Sequence, residues 1–128
     1  MYKELAICII LVILIFSLDN FTQRYTKDST NEMSDKLESL KCKIQQESDS
    51  EENTKIMDEI YSKWEEFHDI SAIYIEHNEL EKVEINMVAC KDFIRQKIYD
   101  MAANEIEKTI FGLEHIQDKY AFSLINVF

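Results

Sequence analysis

The chain has almost none of the residues that build turns. Its 128 residues include one glycine and no proline. Hairpin turns depend on those two residues, whereas helix interiors exclude them. The composition therefore predicts an all-α protein. A single glycine also excludes the glycine-rich loops that hold phosphate groups in nucleotide-binding enzymes.

Sequence motifs of known chemistry are also missing. The chain contains no Gly-x-Ser-x-Gly, no His-Glu-x-x-His and no cysteine paired by spacing with a histidine. Carboxylates are plentiful, but no spacing gathers them into an acid–base pair. We therefore expect a protein that is not an enzyme, with no catalytic residue and no cofactor.

Three cysteines are too few for a disulfide framework. Cys8 lies inside an apolar run, and Cys42 and Cys90 are far apart in the sequence. Small buried thiols are the ordinary interpretation. Whether Cys42 and Cys90 form a disulfide stays open, because nothing in their spacing argues for it.

The charge is strongly of one sign, with a formal net value of −11. Such a surface repels nucleic acid and attracts cations, basic peptides or the basic face of a partner. Nucleic acid is therefore excluded as a partner.

The N-terminus carries a long apolar run. Residues 5–18 contain no charge and one hydroxyl, and as a helix they span about 21 Å. Flanking residues extend the run toward the ~20 residues that a bilayer needs, so residues 1–22 are predicted to form a transmembrane signal-anchor that contacts lipid through 5–18. A cleaved signal is disfavoured, because no pair of small residues follows the run. A soluble core helix is the other alternative.

The rest of the chain divides by composition. Residues 23–47 read as a juxtamembrane helix with a stripe at Met33, Leu37, Leu40 and Ile44, and the polar residues 26–31 are a candidate break before it. The stripe either packs on the domain or drives oligomerisation of the anchor. Residues 48–53 form an acidic linker, and residues 54–128 form a helical domain.

Three amphipathic helices are predicted in that domain. The first begins near Asn53 or Thr54, the second is capped by Asn78, and the third is capped by Asp100. Apolar residues at helical spacing are assigned to the core: Ile56, Ile60, Trp64, Phe67, Leu80, Val83, Met87, Cys90, Ile94, Ala103, Ile106, Ile110, Leu113 and Ile116. The first pattern is read on through Ile70 and Ile73. The apolar tail at 120–128 is expected to dock on the helices, with a partner or lipid contact as the alternative.

Histidines supply the best metal candidates. His68 neighbours Glu65, and His77 has Glu81 four residues later, so each pair offers half a site on one helix face. A solvated histidine beside carboxylates is the ordinary interpretation. We expect no metal site, and keep His68, His77 and Glu81 as the alternative.

The chain resembles a known family through four features: the apolar segment, Trp64 within KWEEF, the turn at 75–81 (IEHNELE) and the ending Asn126-Val127-Phe128. The family consists of bacterial proteins, mainly from clostridia, and is catalogued only as a domain of unknown function, number four-three-six-three. The resemblance implies the architecture and no established activity. It also implies that members are encoded near other membrane proteins.

Together these observations predict a single-pass membrane protein. We expect an N-terminal transmembrane helix followed by a three- to four-helix antiparallel bundle of αα-hairpins. The hypothesised function is noncatalytic protein–protein interaction or assembly on the extracytoplasmic face of a spore-forming bacterium's membrane. The partner is another membrane protein or a second copy, or a peptide held in an acidic groove. A cation- or metal-responsive module and an oligomerising anchor are the alternatives.

Overall fold

Four α-helices make up the part of the chain that a computed structural model describes, residues 1–46 and 50–120. They are α1 (Tyr2–Gln45), α2 (Ser50–Ser71), α3 (His77–Arg95) and α4 (Tyr99–Lys119). Those two ranges contain no strand. The all-α prediction is confirmed. The predicted docking of the apolar tail concerns residues 121–128, which lie outside the described residues.

Buried residues recur along each helix at alternating spacings of three and four. The repeat is Thr26, Thr30, Met33, Leu37, Leu40 and Ile44 on α1; Asn53, Met57, Ile60, Trp64, Phe67 and Ser71 on α2; Leu80, Val83, Met87, Cys90 and Ile94 on α3; and Ala102, Ile106, Thr109, Leu113 and Ile116 on α4. A mean spacing of 3.5 residues keeps one face of every helix turned toward its neighbours. The four faces form one core.

The helices form a closed antiparallel ring. α1 packs against α2 and α4, and α3 packs against the same two helices. Contacts at two levels give the direction. Toward α2, Glu32 pairs with Lys63 and Lys43 pairs with Glu52. Toward α4, Thr30 contacts Gln117 and Lys41 contacts Glu107, so both neighbours run antiparallel to α1. The predicted bundle of αα-hairpins is confirmed, with four helices.

α1 is one uninterrupted helix with two environments. Its first part, through Leu18, is exposed, and burial begins at Thr26. The predicted break at 26–31 is wrong, because the polar residues there are satisfied inside the helix. Thr30 Oγ1 donates to the Thr26 carbonyl at 2.7 Å and to Gln117 Oε1 at 3.1 Å.

The stripe from Met33 to Ile44 is buried in the core of a single chain, with 0–1 % of each side chain exposed. The packing interpretation of this stripe is confirmed. Oligomerisation driven by the same stripe is wrong, because those side chains have no surface left for a second copy.

Helix starts differ from the sequence expectations. α2 begins at Ser50, so residues 50–53 of the predicted linker are helical, and Glu51 and Glu52 lie in the first turn, where the helix dipole favours negative charge. α3 begins at His77, and its N-cap is Glu76 rather than Asn78. α4 begins one residue before Asp100, and its N-cap is Ile98.

The predicted core is nearly complete but its register is slightly off. Ile56, Ala103 and Ile110 are only partly buried, whereas Met57, Ala102 and Thr109 are fully buried. α2 ends at Ser71, so the pattern does not run on: Ile70 and Ile73 are exposed. The core accommodates Thr109 because its hydroxyl donates to the Glu105 carbonyl at 2.7 Å, within α4.

Candidate membrane and partner interfaces

The exposed N-terminal part of α1 joins the bundle at one end, which we call the proximal end. There Thr26 Oγ1 and Tyr74 OH are 2.6 Å apart, which ties α1 to the α2–α3 turn. The Glu76 N–H donates to Tyr120 OH at 2.9 Å, which ties the same turn to the end of α4. The exit of α1, the turn and the end of α4 therefore lie together.

Apolar side chains point outward at this end. Ile73 in the α2–α3 turn is 88 % exposed, and Phe21 on α1 is exposed as well. The N-terminal part of α1 is long and apolar enough to cross a membrane, and none of its most apolar window is buried. A contiguous apolar surface of this size is costly in water and marks contact with lipid or protein.

A polar cleft opens beside that surface, between α1 and α4 at the proximal end. Its volume is about 330 Å³, and we call it the proximal cleft. It is lined by Asn20, Gln23, Arg24 and Lys27 from α1, and by Gln117 and Asp118 from α4. Gln23 Nε2 is buried and has no hydrogen-bond acceptor within residues 1–46 and 50–120.

A second concave surface lies on the outer side of α3 and α4, and we call it the α3–α4 groove. It encloses about 800 Å³. Ile85 and Phe111 line it and are 61 % and 72 % exposed. Gly112 lies in its wall, and a Cβ there would meet Val83 Cγ2 at 2.9 Å. The missing side chain lets the two helices approach closely beneath the two apolar side chains.

The charges around this groove are mixed. Glu79 is nearly buried and contacts His115 Nε2 at 3.4 Å and Lys119 Nζ at 3.3 Å. Lys108 pairs with Glu105 on its own helix. Lys82 makes no ion pair within residues 1–46 and 50–120. This surface is therefore not acidic, and it offers a cation to an incoming group. The acidic groove for a peptide stays a prediction.

The aromatic stripe of α2 belongs to the core, as the sequence indicated. Trp64 is fully buried, and its Nε1–H donates to Glu84 on α3. Tyr61 OH donates to the other oxygen of Glu84 at 2.8 Å, and the Lys91 ammonium lies 4.5 Å from the Tyr61 ring centre. Acceptance by Glu84, together with burial, raises the pKa of Tyr61 to about 12.

The metal candidates are not gathered into one site. His68 lies on α2 against the Trp64 ring, 5.9 Å between centroids, whereas His77 and Glu81 share the first turns of α3. The described residues contain no group of three or more His, Cys, Asp or Glu side chains that could hold a metal ion.

The buried thiol of Cys90 is unsuited to covalent chemistry. Cys90 is fully buried, with its Sγ 3.4 Å from Thr109 Oγ1. Burial raises its pKa to about 12, which suppresses the reactive thiolate. Cys42 is exposed, and both are free, so the open question of a Cys42–Cys90 disulfide is answered in the negative.

Sequence reasoning missed the residues of both concave surfaces. Ile85 and Phe111 lie off the buried repeats, and an apolar residue off the repeat is the signal that could have found them. In the sequence, Arg24 and Lys27 bear only on the membrane orientation of the apolar segment. Their position beside α4 depends on the tertiary fold, which sequence periodicity does not predict.

The fold and these surfaces define a four-helix bundle carried on an exposed apolar helix. The chain belongs to the family described as "Domain of unknown function (DUF4363)", which matches residues 20–127. The match thus begins where the apolar segment ends. No curated protein and no solved structure matches the chain.

Proposed function

We propose that this protein is a noncatalytic assembly module, held at the cell membrane by its first helix and docking another membrane protein through the α3–α4 groove. The observation that carries the proposal is the exposure of Phe111 and Ile85 in the lining of one groove. Burying each such side chain contributes about 1.5–3 kcal/mol.

Anchoring is supported by the exposed N-terminal half of α1. The hydrocarbon core of a bilayer is about 30 Å thick and takes about 20 helical residues. Tyr2 to Phe21 supply that length, and Ile73 adds an apolar contact at the same end of the bundle. A continuous α1 then holds the bundle upright against the bilayer surface.

The occupant of the groove is proposed to be an amphipathic helix that carries a carboxylate beside its apolar stripe. The apolar stripe would cover Ile85 and Phe111, and the carboxylate would pair with Lys82. Charge complementarity supports this chemistry, since Lys82 is a cation without an ion pair in the described part of a strongly negative chain. A partner anchored in the same bilayer is favoured, because tethering raises its local concentration.

Site-specific photo-crosslinking in native membranes tests the docking. A photoreactive residue at position 111 or 85 is expected to crosslink a discrete second protein through an acidic amphipathic segment. The same residue in place of Glu114, which is exposed outside the groove lining, is the matched control. A product with a second copy of this chain, or equal products at position 114, would contradict the proposal.

A pair of substitutions gives an independent test. F111Q removes a groove side chain, and M101Q removes an exposed apolar side chain on the same helix outside the groove lining. F111Q is expected to reduce recovery of the partner while the melting temperature stays unchanged. Equal loss with M101Q would mean that general surface hydrophobicity drives the association.

The bundle is proposed to lie on the extracytoplasmic face. A short N-terminal anchor before a long trailing domain favours export of that domain. Cys42 is an internal reporter, because it is exposed while Cys90 is buried and Cys8 lies in the apolar segment. A membrane-impermeant maleimide is expected to label wild type but not C42S in intact cells. Labelling only after lysis would place the bundle in the cytoplasm.

A further inference from the structure

We infer that the proximal cleft binds the headgroup of an anionic phospholipid, a phosphodiester that carries a free polyol such as phosphatidylglycerol. The inference rests on the proposed anchoring of α1, since the anchor brings the cleft to the bilayer surface. The cleft is formed by α1 and α4 and has a volume of about 330 Å³.

The height of the cleft matches the headgroup layer. A rise of 1.5 Å per residue puts Arg24 about 9 Å and Lys27 about 14 Å beyond Leu18, the last residue of the apolar run. Headgroups occupy roughly 5–8 Å on each side of the hydrocarbon core. The hydrocarbon core of the bilayer extends a few residues beyond Leu18. The side chains of Arg24 and Lys27 therefore lie at the level of the lipid phosphates.

The cleft presents donors that the fold itself does not use. Arg24 and Lys27 are exposed and make no ion pair in the described part of the chain. Gln23 Nε2 lies buried in the cleft wall without an acceptor among the described residues. Phosphate oxygens accept from the two cationic side chains, and bonds of this charge-assisted kind are the strong ones.

Asp118 is the one carboxylate among the described residues that line the cleft, and it favours a headgroup that carries hydroxyls. Asp118 accepts hydrogen bonds, so it suits the hydroxyls of a glycerol headgroup. Two cations and one carboxylate give the cleft a net charge of +1, which balances the single negative charge of phosphatidylglycerol. A zwitterionic choline headgroup offers Asp118 no hydrogen-bond donor and leaves the cleft charge unbalanced.

The test uses the full-length protein in detergent micelles with short-chain phosphatidylglycerol or phosphatidylcholine. Retained lipid is measured by native mass spectrometry, and the melting temperature is measured in parallel. Phosphatidylglycerol is expected to be retained and to raise the melting temperature, with an affinity at least about tenfold above that of phosphatidylcholine.

The variant R24Q/K27Q is expected to lose this preference. The matched control K55Q/R95Q removes the same types and number of charges from α2 and α3, outside both the cleft and the groove linings. Retention in the control and loss in R24Q/K27Q support the inference. Equal retention of both lipids, unchanged binding by R24Q/K27Q or equal loss in the control would overturn it.

Two further measurements complete the test. The first distinguishes a lipid from a free phosphate ester, and the second distinguishes refutation of lipid binding in the cleft from refutation of membrane anchoring by α1. Soluble glycerol phosphate that binds as tightly as the lipid would assign the cleft to a free phosphate ester and overturn the lipid inference. Membrane association is measured by alkaline carbonate extraction. A protein that resists extraction but is indifferent to phosphatidylglycerol refutes only the cleft, whereas an extracted protein refutes the anchoring itself.

Discussion

Gly112 on α4 passes so close to Val83 on α3 that a methyl group does not fit between them. A Cβ on Gly112 would lie 2.9 Å from Val83 Cγ2. A glycine inside a helix costs about 1 kcal/mol relative to alanine. The only glycine of the chain therefore lies where the backbone of α4 contacts a side chain of α3. That contact forms the wall of the α3–α4 groove.

G112A is expected to destabilise the protein by about 1 kcal/mol. Alanine gains up to about 1 kcal/mol of helix propensity, but Val83 has a stiff β-branched side chain, and overpacking costs about 1–3 kcal/mol. Urea unfolding measures the difference. In the V83A background the same change is expected to be neutral or stabilising. Equal effects of G112A in both backgrounds would contradict the contact.

Glu84 joins α2 to α3 by accepting from buried Trp64 and partly buried Tyr61. E84Q keeps one acceptor oxygen, so either Tyr61 OH or Trp64 Nε1–H loses its partner. A cost of about 1–2 kcal/mol is expected, measured by urea unfolding. E114Q, at an exposed position of α4, is the control and should change stability by less than about 0.5 kcal/mol. A neutral E84Q would show that the carboxylate does not tie the helices.

The same contact predicts a dependence of stability on alkaline pH. Tyr61 has a pKa of about 12 in the folded protein against 10.0 for an unperturbed tyrosine. Between these values the unfolded state loses the phenolic proton while the folded state keeps it, so the free energy of unfolding falls as pH rises from 10 to 12. Burial also raises the pKa of Cys90 to about 12, so its titration adds to the same pH range and Y61F is the reference.

The stability difference between wild type and Y61F is expected to shrink as pH rises from 10 to 12. Chemical unfolding at several pH values measures it. A difference that stays constant across this range would mean that Glu84 does not hold the Tyr61 proton.

α3 ends in a tight cap that uses lysine where glycine is usual. Lys97 has φ = 62°, the Ile98 N–H donates to the Phe93 carbonyl at 2.9 Å, and the Lys97 N–H donates to the Ile94 carbonyl at 3.1 Å. These two bonds define a Schellman motif, whose left-handed residue is usually glycine.

K97G is expected to stabilise the protein by about 0.5–1 kcal/mol. A left-handed conformation costs a residue with a Cβ roughly 1–2 kcal/mol, and the greater freedom of glycine in the unfolded chain offsets part of the gain. K97A removes the same charge but keeps a Cβ, so it should not stabilise. Thermal unfolding of the three proteins separates conformation from charge, and equal gains in K97A and K97G would assign the effect to charge.

Most of the bundle could be predicted because apolar repeats mark it. Met33, Trp64, Met87 and Leu113 all lie at the positions that helical spacing assigns to a core. The continuity of α1 could not be predicted, because Thr30 reads as a polar break until Gln117 is known to accept from it. The early start of α2 at Ser50 could not be predicted either, because the acidic residues of its first turn have the composition of a linker.

The candidate surfaces were harder to predict than the core. Ile85 and Phe111 line one groove, whose wall is formed where Gly112 lies against Val83, and no local pattern in the sequence records that close approach. The proximal cleft likewise depends on where the C-terminal end of α4 lies beside Arg24. Sequence periodicity predicts which residues of one helix face the core and which face outward. A groove depends on the outward-facing residues of two neighbouring helices.

The central claim is that α1 is a single helix with its first half in lipid and its second half in the core of a water-facing bundle. Spin labels on single cysteines, introduced into a cysteine-free variant in bilayers, test it directly. Labels at Ile9 and Ile13 are expected to be accessible to oxygen and protected from a water-soluble nickel chelate. Labels at Asp28 and Asp35 are expected to show the reverse, with the crossover between residues 18 and 24. Chelate accessibility along the whole helix would contradict the account.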